Sequence, residues 1–344
     1  MKTMMIIYIF FSYFFTLSLK SQQINRTEQY QCLCLQSRIR FNDASIEKIV
    51  MHPEEILAEP DSFWMQDSAY QLVKLWHQRV SLPVPMEQWK TWIQSYKNIP
   101  PEDRDKDSQL TAARKMMKKE TEFNNKAIPY LCSFLPEECS INTSVFFTTA
   151  IMASGFQLGN SIVIYGANSD KDNLIIHELF HQGFNLSKPA FKSDNPKDSI
   201  VYQIYNDLQN EGMATYVGFK ALADFPDFDP DPLRDDYRFL QDTATFKKLY
   251  HLLNKTLEKV PGLLTTEAGQ KELKEILWQV GSMDRAYYVI GCFMAKTIDE
   301  KEGRQALVET ITAGPKTFLE KYNSLVNENL KISDIDTQTD LLKE

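Results

Sequence analysis

One segment constrains this chain more than any other: Leu174-Ile175-Ile176-His177-Glu178-Leu179-Phe180-His181-Gln182-Gly183-Phe184. His177 and His181 are four positions apart, so on a helix they share one face, one turn from each other. Two imidazoles in that relation can hold one zinc ion at about 2.0–2.1 Å each. Glu178 follows the first histidine and is rotated too far to share its coordination position. It can reach a water at the metal and take its proton. Leu174, Ile175, Ile176, Leu179 and Phe180 bury the rest of the helix, which keeps the imidazoles rigid. The chain has only five histidines, so chance seldom produces this pattern. The plain alternative is a helix whose histidines only cap or pack. His52, His77 and His251 have no partner at metal-ligand spacing and read as surface or packing residues.

The surroundings of that helix set the fold class. Residues 144–151 are β-branched and aromatic, and Ser-Ile-Val-Ile-Tyr at 161–165 reads as a second strand. Gly155, Gly159 and Asn160 lie between them as turn chemistry. Residues 166–170 form a loop able to start a helix, and from Asn173 onward the pattern is mostly helical. Upstream, residues 45–130 are helical in pattern; Ala69, Leu72, Val73, Leu75 and Trp76 give 67–80 a broad apolar face. Residues 22–44 are polar and read as loosely held. The expectation is a mostly helical α+β fold with a small β-sheet before the metal helix. Its organisation is a helical region at 22–139 and a catalytic region at 140–344, or a single domain over 22–344.

The N-terminus departs from this texture. Met1-Lys2 carries one positive charge, residues 4–19 are almost wholly apolar, and Lys20-Ser21-Gln22-Gln23 is polar. This is the layout of a secretory signal at residues 1–21, with cleavage near Ser21. An uncleaved anchor that tethers the chain to a membrane is the alternative, but the run is short for a span of about 20 residues. The expected location is therefore outside the cytoplasm, periplasmic or extracellular, with no stable membrane span after cleavage. In that oxidising setting Cys132 and Cys139 form the expected disulfide, since they flank the turn-like Leu135-Pro136-Glu137-Glu138. Cys292 sits in an apolar helical run and reads as a buried thiol. The five tryptophans, Trp64, Trp76, Trp89, Trp92 and Trp278, read as core. Asp224, Asp227, Asp229 and Asp231 alternate with Pro226, Pro230 and Pro232, which reads as a stiff solvated loop rather than a calcium site. The net charge is −8 and no Lys/Arg block stands out, which argues against a nucleic-acid partner.

A catalytic zinc takes three protein ligands and keeps one place open. No third histidine follows at short spacing, which favours a carboxylate. Glu211 lies in a helical pattern continuing from Ile200, with Ile204, Leu208 and Tyr216 inward. Residues 185–198, with Pro189 and Pro196, leave room for a loop before this return helix. The helix can lie antiparallel to the first, and the small Gly212 and Ala214 allow close approach. Asp207, one turn earlier, is the fallback ligand or a partner that orients a histidine.

Asn210-Glu211-Gly212-Met213-Ala214 resembles the Asn-Glu-Gly-Phe-Ala sequence that carries the third zinc ligand in gluzincin aminopeptidases. The resemblance implies that Glu211 is that ligand and that the fold is a zincin-like metallopeptidase domain. Tyr288 and Gly291 reproduce the Tyr-x-x-Gly spacing that bears the transition-state tyrosine of those enzymes. A tyrosine hydroxyl stays protonated at neutral pH and can donate to a developing oxyanion. Tyr288 is thus the candidate donor and Tyr287 the second choice. Arg285 offers itself to a substrate carboxylate or to a salt bridge. The resemblance covers two short motifs and their order, about a tenth of the chain. The spacing between the motifs is longer than in those aminopeptidases. Their Gly-x-Met-Glu-Asn sequence, which binds the peptide's free amine, is missing before His177. The whole exported layout also resembles bacterial families described as zinc-dependent peptidases of unknown function. The implied activity is hydrolysis of peptide bonds in a peptide or protein substrate. Zn2+ would be held by His177, His181 and Glu211, with Glu178 as the base. The alternatives are a zinc-binding protein without turnover and a zinc hydrolase of a non-peptide amide. A strand at 161–165, just before the metal helix, is placed to pair with an extended substrate.

Overall fold

Short runs of β-branched and aromatic residues make the sheet on which the helix of His177 and His181 rests. The computed structural model describes residues 33–80, 83–84, 86–149, 153–228 and 235–335. The signal expected at 1–21 and the Asp229–Asp231 part of the acidic loop lie outside them. The strands are β1 (Arg38–Asn42), β2 (Asn142–Thr148), β3 (Gly155–Leu158) and β4 (Ser161–Tyr165), in the spatial order β1-β2-β4-β3. β1 pairs in parallel with β2, with Arg38 opposite Asn142, and β2 in parallel with β4, with Val145 opposite Ile162. β3 runs antiparallel to β4, with Phe156 opposite Val163.

Two strands were not expected. Residues 38–42 read as part of a loose polar segment, yet they alternate in burial, with Ile39 and Phe41 inward and Arg38 and Arg40 outward. Their outer edge is covered by side chains: the Ile39 and Phe41 amides donate to Asn124 and Glu120. Residues 155–158 read as turn, but only Gly159-Asn160 turns. Gly159 is left-handed at φ 57°, and the hairpin it closes brings β3 alongside β4.

The helices α1 (Ala44–Met51), α2 (Pro53–Ala58), α3 (Pro60–Gln66), α4 (Ser68–Arg79), α5 (Met86–Lys97), α6 (Pro101–Arg104), α7 (Ser108–Lys118) and α8 (Glu120–Cys132) fill the interval between β1 and β2. After β4 come α9 (Asp172–Ser187), which carries both histidines, and the long α10 (Pro196–Asp224), which carries Glu211. Then follow α11 (Asp235–Gln241), α12 (Thr243–Leu263), α13 (Glu267–Leu277), α14 (Ala286–Glu302), α15 (Arg304–Ala313) and α16 (Pro315–Leu325). The mostly helical fold with a small sheet before the metal helix agrees with the sequence reading.

α9 is the centre of the molecule, and every residue from Asp172 to Phe184 is buried. α10 packs against it on one side and against α14 on another. The small residue that lets α10 close on α9 is Gly218, where an added Cβ would lie 3.0 Å from the Asn173 carbonyl and 3.5 Å from His177 Cβ. Gly212 was assigned that task from sequence. Instead it faces α14, where a Cβ would fall 2.3 Å from the Cα of Gly291.

The disulfide also departs from expectation. Cys132 is bonded to Cys34, not to Cys139. Pairing of β1 with β2 draws the preceding turn to the end of α8: the Cys34 amide donates to Glu137, and Arg38 to Ile141. Cys139 is pulled inward, where its thiol contacts the Gly183 carbonyl of α9 at 3.5 Å. Cys292 is buried, as its apolar run suggested. Trp278 is the exception among the tryptophans at 45% exposed, because it begins a π-helical turn, Trp278–Met283, at the rim of the cleft described below. Among the described residues, no helix is long and apolar enough to cross a membrane.

Candidate metal centre

His177 and His181 point the same way from α9. Their rings meet edge to face with centroids 4.6 Å apart, and their Nε2 atoms are 3.0 Å apart. Asn210 of α10 sets the second ring: His181 Nδ1 donates to Asn210 Oδ1 at 2.9 Å, which turns Nε2 toward the shared point. Sequence reasoning missed Asn210. The available signal was its place directly before Glu211 in the run compared with the gluzincins. His177, Glu178 and His181 each offer one ligand atom, and these atoms all lie within 4.8 Å of one another.

Glu211 reaches the same point from α10. Its Oε2 is 3.2 Å from His181 Nε2 and 3.6 Å from His177 Nε2. That oxygen is buried and has no hydrogen-bond partner. Burial would raise the Glu211 carboxyl, but the charges of the two imidazoles win and hold it well below the ordinary carboxylate range. Burial would likewise lower His181. The charge of Glu211, with Glu178 and Asn210 behind it, pushes it up to about 9 instead. Two imidazole nitrogens and an unpartnered carboxylate oxygen at one point form the donor set that zinc takes, so the residues fit the ion. Asp207 does not join them. It accepts hydrogen bonds from Gln203 and Asn206, and burial together with the Glu211 charge pushes its carboxyl up to about 7.

Tyr288 stands on the opposite side of His177, ring parallel to ring at 6.3 Å and 7°. The Arg285 guanidinium covers its other face, 3.2 Å from the centroid. Asp236, buried on α11, receives Arg285 with both carboxylate oxygens at 2.7 Å. Of the two possibilities for Arg285, the salt bridge is therefore the one the structure contains. Arg285 is also the non-glycine residue with positive φ, at 67°, where the chain turns into α14. Such a conformation persists only where surrounding contacts impose it. No sequence signal links Asp236 to Arg285. Tyr287 faces the core, where an added Cβ on Gly281 would strike its ring.

These groups line a cleft of about 1320 Å³, and Glu178, Glu211, Tyr288 and the start of β3 all contribute to its wall. A Cβ added at Gly155 would lie 3.6 Å from Glu178 Cγ, so the first residue of β3 passes directly over that carboxylate. The strand expected to receive a substrate was β4. It has β2 on one side and β3 on the other, so its backbone is already paired along both edges. β3 is the edge strand on this side of the sheet.

Residues 65–331 fit the family model described as "Putative zinc dependent peptidase (DUF5700)", a span that contains every residue of this centre. No curated protein and no solved structure matches the chain.

Proposed function

The chain belongs to the DUF5700 family, and from that premise we propose that it is an exported zinc peptidase of the gluzincin type with a zincin-like catalytic domain. One observation carries the reading: the convergence of His177 Nε2, His181 Nε2 and the unpartnered Glu211 Oε2 beside Glu178 in a large cleft. In it, His177, His181 and Glu211 hold the metal. Zinc in such a site polarises a carbonyl and lowers the pKa of a water at its open place to about 7. Glu178 accepts a proton as water attacks the peptide carbonyl, then returns it to the leaving amine. Tyr288 donates its hydroxyl to the oxyanion. Burial and the charge of Glu211 raise its pKa, so it keeps the proton it must share. Arg285 and Asp236 fix the plane of that ring. The substrate backbone pairs with the exposed edge of β3 above Glu178.

Export is supported by the Cys34–Cys132 disulfide, which belongs to an oxidising compartment. N-terminal sequencing of exported protein should find a chain starting close to Gln22, and a soluble cytosolic species beginning at Met1 would refute this part. The activity is tested by incubating the purified chain with a mixed peptide library, with and without a chelator. New termini that vanish on chelation and return with zinc are expected. A metal-loaded chain that leaves every peptide intact ends the reading.

A further inference from the structure

The stretch of cleft wall beyond the α9 histidines carries a different chemistry from the metal centre. α9 ends at Ser187, and Lys188 follows as its C-cap, with its ammonium donating to Asn206 Oδ1 at 3.0 Å and lying 5.9 Å from the Phe184 ring centroid. From the other side, Trp76 of α4 stacks on Phe156 of β3 at 5.2 Å and 20°, which pins the end of α4 to the sheet edge. Arg79, three residues further on, is thereby set into the same wall. Among the described residues neither Arg79 nor Lys188 has a carboxylate within ion-pair distance. The acid nearby is Asp207, and its carboxylate is occupied by the amides of Gln203 and Asn206. Asn185, on the same wall, donates to Gln157 Oε1 at 3.2 Å. Burial lowers the Lys188 ammonium from its ordinary value, and the like charge of Arg79 adds to this while Asp207 opposes it. Lys188 is half-buried and Arg79 exposed, both on the wall of the cleft, so an incoming anion there meets two cations that no carboxylate among the described residues holds in an ion pair.

We propose that Arg79 and Lys188 form a carboxylate-binding subsite of this cleft, which selects peptides carrying a negative charge away from the scissile bond. The guanidinium supplies a planar fork and the ammonium a point charge, and either group pairs with a carboxylate. The inference rests on the peptidase reading for its choice of a peptide as ligand. The carboxylate has two sources, an Asp or Glu side chain or the free C-terminus.

The test is binding, read by fluorescence anisotropy with the full chain in two forms: metal-free wild type and zinc-loaded Glu178→Gln. The probes are four labelled octapeptides, neutral apart from one central Glu or Gln, each with a free or amidated C-terminus. Peptides with the selected carboxylate should bind about tenfold or more tightly than the neutral amide. The Glu/Gln pair identifies a side chain as the source, and the acid/amide pair identifies the terminus. Arg79→Gln with Lys188→Gln should abolish the difference, and Lys188→Arg should retain it. Equal binding of all four peptides, or none, overturns the proposal, as does discrimination that survives in the double variant. Charge-selective binding without any hydrolysis by the wild type would sink the peptidase reading and leave the subsite standing. Hydrolysis indifferent to peptide charge would do the reverse.

Discussion

Glu178 and Glu211 face the same pair of imidazoles from two helices, and their neighbours separate their tasks. Glu178 lies under the first residue of β3, on the side open to a substrate. Replacing it with Gln preserves shape and removes the base, so Glu178→Gln should keep full zinc content by metal analysis while turnover falls at least about 10²-fold. Glu211 is held ionised by the imidazoles it meets. Glu211→Ala should therefore cut zinc affinity far more than Asp207→Ala, measured by competition with a chromogenic chelator. Equal losses in the two variants would refute Glu211 as the third ligand. Asn210→Ala removes the acceptor that fixes the His181 tautomer, and should weaken zinc about 10–100-fold without touching the metal itself. The convergence of the histidine pair and Glu211 on one point was legible because each sits in a short run with a geometric meaning. The Asn210 contact spans 29 residues and the Asp236–Arg285 pair 49, and local pattern says nothing about contacts at that range.

At the scale of elements, the site depends on how closely α10 and α14 approach. Gly212 and Gly291 meet backbone to backbone, and this crossing carries Glu211 on one helix and Tyr288, one turn from Gly291, on the other. In Gly291→Ala the new methyl would fall 2.2 Å from the Leu208 carbonyl and 2.7 Å from Gly212 Cα, and neither backbone has room to yield alone. The expected cost is about 1–3 kcal/mol or more in denaturant unfolding, with turnover falling because the two helices move apart. A variant of unchanged stability and rate would show that the crossing is looser than described. The helices themselves were readable from their apolar period, but which helix each glycine faces was not. Small size marks a close approach and leaves the partner open, as Gly212 and Gly218 both show. β1 and β3 escaped notice for another reason. Five and four residues are too few for an alternating signal to stand out, particularly where arginines occupy the outward places of β1.

Across the whole molecule, the Cys34–Cys132 bond closes a loop with a sequence separation of 98 and ties the entry to β1 to the end of α8. Reduction, or Cys34→Ser, should lower stability by about 2–5 kcal/mol in a loop-entropy account, seen as a lower unfolding midpoint. An unchanged midpoint would mean that packing alone holds β1. The order of the strands also has a consequence in time. β3 and β4 are joined by a two-residue turn and can pair as soon as both have been made, whereas β1 precedes all the helices named above and must wait for β2, which follows eight helices later. A chain delivered N-terminus first, from a ribosome or a translocation pore, therefore holds β1 without its partner until Asn142–Thr148 arrive. Pairing at such range pays its loop-closure entropy before any contact returns it. Assembly of the sheet on the β1 side is thus governed by the arrival of β2, and the platform beneath α9 is completed only after the N-terminal helical layer has been made.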